Sequence, residues 1–459
     1  MASYYEPARK LPVRTAVDVL VVGGGSAGVI AAIAAARTGA RTLLVERYGF
    51  LGGLVPGGPT GMHSFFNCYH DANGTPDVPP ESKKQIIKGI PQDLVDRLVA
   101  AGGCPGHIEL EKAARFISVL TPVDPEIYKW VALEMVLEAS AEVLFYTQVA
   151  DVVMSDNRVA GVVIESKSGR EVVLAKAIVD ASGDADVVGR SGAPFTFVEQ
   201  FGVSMNLRMQ GVDIETFADE VLKRDLVYHY ARAVKLGTTE KSTMRLSTRL
   251  TPWKELIDKY DARIGAVINT SLREGDLTYM NCTGVLANGV DVADMSRASI
   301  YLQRQIHNIV AFFTNCMPGF EHAYLAATGP LLGVRRTRLM QAVYDMPRAH
   351  VMEGWGVPDE IGRFSFIDLP EFAVTDGHTY GVSYRSLLPR EVEGVLMCGR
   401  MISTDHVVHH STRNVGCCMV TGQAAGAAAG LSAQQGILPS QLDANELRGV
   451  LADQGAYFE

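Results

Sequence analysis

Three groups of residues in this chain have types and spacings that could do chemistry. Near the amino end, Gly23-Gly24-Gly25-Ser26-Ala27-Gly28 fits G-x-G-x-x-G, and Glu46 follows downstream. That pattern grips a dinucleotide. Gly23 permits a tight turn, Gly25 lets a diphosphate approach the backbone, Gly28 lets a helix pack close to its strand, and the acidic side chain accepts hydrogen bonds from a ribose. The second group is basic: Arg335, Arg338 and Arg413 each offer a rigid fork for a substrate carboxylate or a reduced anionic ring, or else form buried structural ion pairs. Arg335 and Arg338 share a face if their stretch is helical. The third group is His406, His409 and His410. An imidazole exchanges protons near neutral pH. Because His409 and His410 are adjacent, a helix would point them in different directions and turn at most one towards a pocket. Tyr384 is a further candidate acid.

These groups need elements to position them. Asp18 to Val22 (DVLVV) is a short β-branched run, as expected of a parallel strand buried on both faces. The glycine turn follows it and opens a helix over Ala27 to Thr38, with the diphosphate on the positive end of the helix dipole, against Ser26 and Ala27. Arg41 to Val45 is the second strand, and Glu46 ends it. Further on, Val143 to Val149, Val152 to Ser155, Arg158 to Ser166 and Glu171 to Leu174 alternate apolar and polar residues around turn signals, and Ala177 to Asp180 returns as a buried strand. Asp294 to Phe313 predicts a long helix. Cys417 to Leu431, rich in Gly and Ala and interrupted by Thr421 and Gln423, predicts a tightly packed internal helix and falls short of a membrane span.

Beyond Glu46 the chain reads Arg47-Tyr48-Gly49-Phe50-Leu51-Gly52-Gly53. This stretch resembles the E-x(n)-G-G segment of FAD enzymes of the glutathione-reductase-2 and fumarate-reductase type, and the resemblance implies that Arg47, Gly52 and Gly53 lie along the cofactor. The turn Ala181-Ser182-Gly183-Asp184-Ala185-Asp186 matches that type's A-x-G-D-A-D, which implies that Gly183 and Asp184 pass close to the FAD while the backbone at Val149 touches the adenine. For Asp184 and Asp186, capping of a helix is the competing role. Gly399-Arg400-Met401-Ile402-Ser403, then His406, Ser411, Thr412, Arg413, Gly416, Gly422, Gln423, Ala424, Ala425 and Gly426, resemble the G-R-x-I-S … H … S-x-R … G-Q-A-A-G signature of a family of FAD-dependent oxidoreductases. Pro318-Gly319-Phe320-Glu321, the segment Gly333 to Arg338 and Tyr384-Arg385-Ser386-Leu387-Leu388-Pro389 extend that likeness. Where the family tends to have Ile-Pro before Tyr-Arg-Ser, this chain has Val382-Ser383, so the pocket bordered there is expected to differ.

The resemblance implies FAD as cofactor, with Gly399, Arg400, Gly416 and Gly422 beside it. The carboxyl-end helix would stabilise negative charge on the reduced pyrimidine, and its small residues would let it pack tightly. It places His406 near the reactive face, where a histidine takes a proton as a hydride leaves for flavin N5; flavin or substrate binding is the alternative role. His409, Arg335 and Arg338 are candidates for the substrate, and Tyr384 and Arg413 join His406 as catalytic candidates. His63 lies in the loop PGGPTGMHSF, expected along the flavin's dimethylbenzene edge as a noncovalent contact, with covalent linkage through His63 or Cys68 as the alternative.

What is missing narrows the class. Glu46 to Asn67 contains no cysteine, which excludes a disulfide reductase with a redox pair beside the flavin, and no second G-x-G-x-x-G for NAD(P)H occurs between Gly183 and Gly422. The electron partner is therefore transient, or the substrate both supplies and removes electrons. A net charge of -9 without a Lys/Arg run argues against nucleic acid or a membrane surface as partner. Seven cysteines at irregular spacings suggest free thiols rather than a metal site, and the polar amino end lacks a secretory pattern, so the expectation is a cytoplasmic protein, metal-free, acting on a small molecule, with a homo-oligomer open. The fold expected is α/β: a Rossmann-like FAD-binding domain over 15–190 and 391–459, with an inserted α+β substrate-binding domain over 191–390. An isomerase or lyase using FAD without net redox, and a subunit with structural FAD, are the competing functions.

Overall fold

Runs of Val, Leu and Ile with no polar face must be covered on both sides, and the first sheet does this with its parallel strands. The computed structural model describes residues 4–58, 60–67, 83–114, 117–369, 371–375 and 378–458. Cys68 lies outside them. Strands β1 (Val13–Val22), β2 (Thr42–Val45), β3 (Glu142–Leu144), β4 (Gln148–Ser155), β5 (Arg158–Ser166), β6 (Gly169–Asp180) and β7 (Val395–Met397) form one seven-stranded sheet. Its parallel part runs β3-β2-β1-β6-β7, with Val19 to Val22 of β1 wholly or almost wholly buried between Thr42 to Val45 and Ala177 to Asp180.

The segments Glu171 to Leu174 and Ala177 to Asp180, expected as separate strands, are one strand. The first half of β6 pairs antiparallel with β5, and its second half runs parallel between β1 and β7. Conversely, Val143 to Val149 is split, because Tyr146 takes a left-handed backbone (φ 55°) between β3 and β4.

Four helices matter for the site: α1 (Ser26–Arg37), α2 (Val292–Cys316), α3 (His406–Thr412) and α4 (Val415–Gln435). The contact between α1 and α4 is backbone on backbone. A Cβ added at Gly422 would fall 2.3 Å from Ala27 O, and one at Gly426 2.1 Å from Ala31 O. Glycine every fourth residue thus makes a groove into which the Ala face of α1 drops, the close approach that small residues allow.

A second, nine-stranded sheet pairs Tyr324–Thr328, Leu207–Gln210, Asp276–Asn281, Ala266–Thr270, Lys241–Arg249, Val227–Val234, Ile108–Ala114, Ile117–Thr121 and Met62–His63 in that order. Residues 62–121, grouped by the sequence with the dinucleotide-binding part, therefore lend strands to this sheet. The apolar core divides differently: one cluster takes in the first sheet, buried residues from Met62 to Leu120 and residues 340–451, whereas the other, including Phe217, Phe312, Phe313 and Phe320, is confined to residues 203–320. Among the described residues no helix is long and apolar enough to cross a membrane.

Candidate functional site

The glycine turn fills the three residues between β1 and α1. A side chain at Gly23 would lie 2.7 Å from Ala181 O and one at Gly28 only 1.7 Å from Gly23 O, whereas one at Gly25 would meet nothing within 4 Å. Two of the glycines are closed off by the protein itself, and the third faces open space. No side chain caps α1, so its first N–H groups are left for a ligand anion. Gly52 N donates to Gly24 O at 2.8 Å, and a Cβ at Gly53 would sit 2.9 Å from Gly25 Cα. Gly53 is packed directly under the first turn, whereas a Cβ at Gly52 would run into the Tyr128 ring and Pro56, so neither position can carry a side chain.

Glu46 Oε2 accepts from Gly24 N at 2.6 Å and Oε1 from Tyr48 N at 2.9 Å. Each oxygen keeps a lone pair for a ribose hydroxyl. In Glu46→Gln one of these acceptors becomes an amide donor facing an N–H. We expect FAD affinity to drop by about 10- to 100-fold, in line with the roughly 1.5–3 kcal/mol of a hydrogen bond to a charged group, measured by flavin fluorescence on titrating the apoprotein.

A cavity of about 680 Å³ runs from this turn to the start of α4. Of the residues singled out from sequence, Gly23, Gly25, Ser26, Ala27, Glu46, Arg47, Gly53, Val149, Gly183, Asp184, Arg338, Gly399, Arg400 and Arg413 line it. Asp180 holds the turn that carries Gly183: its buried carboxylate accepts from Ser182 N, Val187 N and Val188 N at 3.0, 2.9 and 2.9 Å. Arg400 ties three segments together by donating to Gly183 O at 2.8 Å, to Val334 O and to the Asp184 carboxylate. Asp184 also accepts from Thr337 Oγ1 at 2.9 Å, and Arg338 donates to its main-chain oxygen at 2.7 Å.

At the far end, α4 starts without a side-chain cap, because the Asn414 amide turns back to donate to His410 O at 2.7 Å. Val415 and Cys418 of this first turn line the cavity beside Arg413. These features fit FAD: an acidic group for the ribose, a glycine cradle with uncapped N–H groups for the diphosphate, and a second helix N-terminus that favours negative charge.

The remaining candidates lie off this cavity. Gly28, Gly52 and Gly422 are packing glycines, and a Cβ at Gly416 would crowd Ser64 O at 3.0 Å. His409 is fully buried with both nitrogens engaged. Arg336, which can only donate, reaches Nδ1 at 3.0 Å, so Nε2 carries the proton and donates to Arg400 O at 3.1 Å. Burial, then the nearby Arg336, holds this imidazole neutral. His406 is exposed at the first residue of α3, its ring 4.7 Å from that of His410. Tyr384 is buried and donates to Pro439 O at 2.7 Å. Arg335 and Arg338 are not on a helix: Arg338 opens a strand, and Arg335 turns the other way, to within 3.5 Å of Gly202 O.

Beside the cavity stands a group that sequence reasoning only partly found. Arg413 pairs with Asp368 and reaches His410 Nδ1 at 3.4 Å. The His63 ring lies 5.0 Å from that of Phe366. Burial pushes both His63 and His410 down to about 4, so both are neutral at neutral pH. Arg245, from the second sheet, donates to Thr270 Oγ1 at 2.9 Å, to His229 Nε2 at 3.2 Å and to the Tyr279 hydroxyl. Neither Arg245 nor Asp368 carries a local sequence signal. Arg245 shares the nine-stranded sheet with His63, and Asp368 meets His410 through main-chain contacts, so only the tertiary fold reveals them.

The model of the FAD dependent oxidoreductase family matches residues 18–451. The thiamine thiazole synthase of Sulfolobus acidocaldarius is 29% identical over 182 residues, covering 37% of this chain and 57% of that protein. That of Methanococcus vannielii is 30% identical over 183 residues, covering 38% and 58%. In both, the chain spans less than two thirds of the relative's length. Among solved structures, a geranylgeranyl bacteriochlorophyll reductase-like protein of Thermoplasma acidophilum aligns over 96% of this chain and 82% of its own, at 15% identity and a TM-score of 0.45. The glycine cradle, the ribose carboxylate and the match over almost the entire length lead to one conclusion: this chain is an enzyme of the FAD-dependent oxidoreductase family.

Proposed function

We propose that the enzyme transfers a hydride between a small polar organic substrate and its FAD, and that electrons then pass to or from a partner that binds transiently. The observation that carries this reading is the far end of the cavity, where the uncapped start of α4 meets Arg413 beside the neutral, half-buried His63. Bound FAD supplies the hydride acceptor or donor, N5 of its ring. The chain supplies the rest. The α4 N-terminus favours the anionic reduced ring, Arg413 neutralises charge at the substrate, and His63 takes up the substrate proton. His406, exposed on α3, serves the rim of the site, while Tyr384, through Pro439 O, and His409, through Arg400 O, act as positioning residues.

The cofactor grip itself is of the glutathione-reductase-2 and fumarate-reductase type, on the support of Gly52 and Gly53 packed against Gly25. FAD is held noncovalently. We place the enzyme in the cytoplasm on its free thiols, six of which lie among the described residues, with the FAD-binding part drawn from both ends of the chain.

Anaerobic mixing of holoenzyme with a panel of hydroxy compounds, amines and enoates tests the reading. One class is expected to bleach the visible flavin band, or to reoxidise the pre-reduced enzyme, and His63→Ala should slow that step about 100-fold while FAD stays bound. Turnover of a substrate with no change in flavin redox state would establish the isomerase or lyase reading instead.

A further inference from the structure

Beside the cavity the charges do not balance. Three guanidinium groups, Arg245, Arg335 and Arg413, come from three separate segments of the chain. Among the described residues only Arg413 has a carboxylate partner, Asp368. Arg245 is spent on two neutral hydroxyls and the His229 ring, and stacks 5.6 Å above Tyr279. Among the described residues Arg335 makes one long hydrogen bond, 3.5 Å, to Gly202 O. Both are half-buried.

A chain of side-chain contacts brings the pieces together. Arg413 reaches Asp368 and His410, His410 packs 6.0 Å from Phe201, and Phe201 adjoins the Gly202 carbonyl that receives Arg335. Phe366, two residues from Asp368, packs on His63, and the Tyr279 ring under Arg245 abuts Gly61, two residues from His63. The histidines contribute no charge of their own at neutral pH, since burial depresses His63, His410 and His229. Burial and the neighbouring Arg413 also press on Arg335, whose charged form is disfavoured relative to a free guanidinium. Asp368, already paired with Arg413, offsets this only in part; half-buried cations that outnumber their counter-charges are costly unless something negative joins them, and a guanidinium fork is matched to a planar carboxylate.

We propose that the substrate carries a carboxylate, clasped by Arg335 and Arg245 beside His63. This rests on the reading above that the substrate binds at this end of the cavity, and it narrows that substrate to a small organic acid. Arg245 thereby becomes a specificity residue contributed by the second sheet.

The test uses oxidised holoenzyme without turnover. Acetate, malonate and succinate are titrated against acetamide, malonamide and succinamide, and flavin difference spectra report binding. At least one acid is expected to bind at least about tenfold more tightly than its amide. Arg335→Gln and Arg245→Gln should each weaken that acid about tenfold or more, about 1.4 kcal/mol, with FAD content unchanged. Arg335→Lys should restore part of the loss, and Arg14→Gln, exposed near the start of β1 and away from the cavity, should leave it unaltered. Amides binding as well as acids, no acid binding, or binding that survives both glutamine variants would overturn the proposal. So would inorganic phosphate binding more tightly than every acid. Because no electron moves in this assay, its failure would leave the hydride-transfer reading standing, and an enzyme that bound acids but was never reduced would do the reverse.

Discussion

Gly25→Val is expected to give a folded but colourless protein, and Gly28→Val no folded protein at all. The two residues stand three apart in one turn, yet their surroundings are opposite. At Gly25 the backbone is extended (φ -73°, ψ -171°), a conformation valine adopts freely, and a Cβ would meet nothing within 4 Å. The isopropyl group would project into the space the diphosphate needs, and FAD affinity should drop by at least about 100-fold, or ~3 kcal/mol. At Gly28 the new Cβ would lie 1.7 Å from Gly23 O, a clash relieved only by pulling α1 off the sheet. That exceeds the roughly 4–5 kcal/mol beyond which single substitutions are exceptional and consumes much of a stability of about 5–15 kcal/mol. Soluble yield, circular dichroism and the flavin absorbance of the purified proteins separate the two outcomes. A yellow Gly25→Val protein would mean the cofactor lies elsewhere.

Arg400→Met carries the second large effect. Its guanidinium holds Gly183 O, Val334 O and Asp184 at once, and both partners of the ion pair are largely buried, at 17% and 12% side-chain exposure. Removing one partner of such a pair costs about 3–5 kcal/mol, because the other charge remains buried. For a chain of this size that corresponds to a fall in the thermal midpoint of roughly 3–5 °C. Adding Asp184→Asn should recover part of the loss, with a coupling of at least about 1 kcal/mol in a double-mutant cycle. Additive effects would mean that the pair is incidental to the turn.

Most of the cofactor grip was legible in the sequence because it is local. A turn, a strand end and an acidic residue fall within a few dozen positions, and each glycine's role follows from one backbone geometry. What was not legible is relational. Gly416 and Gly422 have the types expected beside a cofactor, but what makes glycine necessary there is the backbone of Ser64 and of Ala27. His409 has the type of a substrate ligand, yet Arg336 and Arg400 O consume both its nitrogens. Arg335 and Arg338 would share a face on a helix. With no helix there, they part, one towards Asp184 and the other towards Gly202. Arg245 and Asp368 sit on unremarkable stretches: sheet pairing brings the first towards His63, and the packing of a loop on His410 and Arg413 brings the second.

The interlock of α1 with α4 has a consequence for how the enzyme is made. The cradle uses residues 23–53, but its opposite wall, at Gly399, Arg400 and Cys418, belongs to the last part of the chain. A nascent polypeptide leaving the ribosome can pair β1 with β2 early, yet it has no complete flavin pocket until α4 emerges and its glycine groove closes over Ala27 and Ala31. Flavin binding therefore requires α4 to have packed on α1, and bound cofactor in turn favours that closed form.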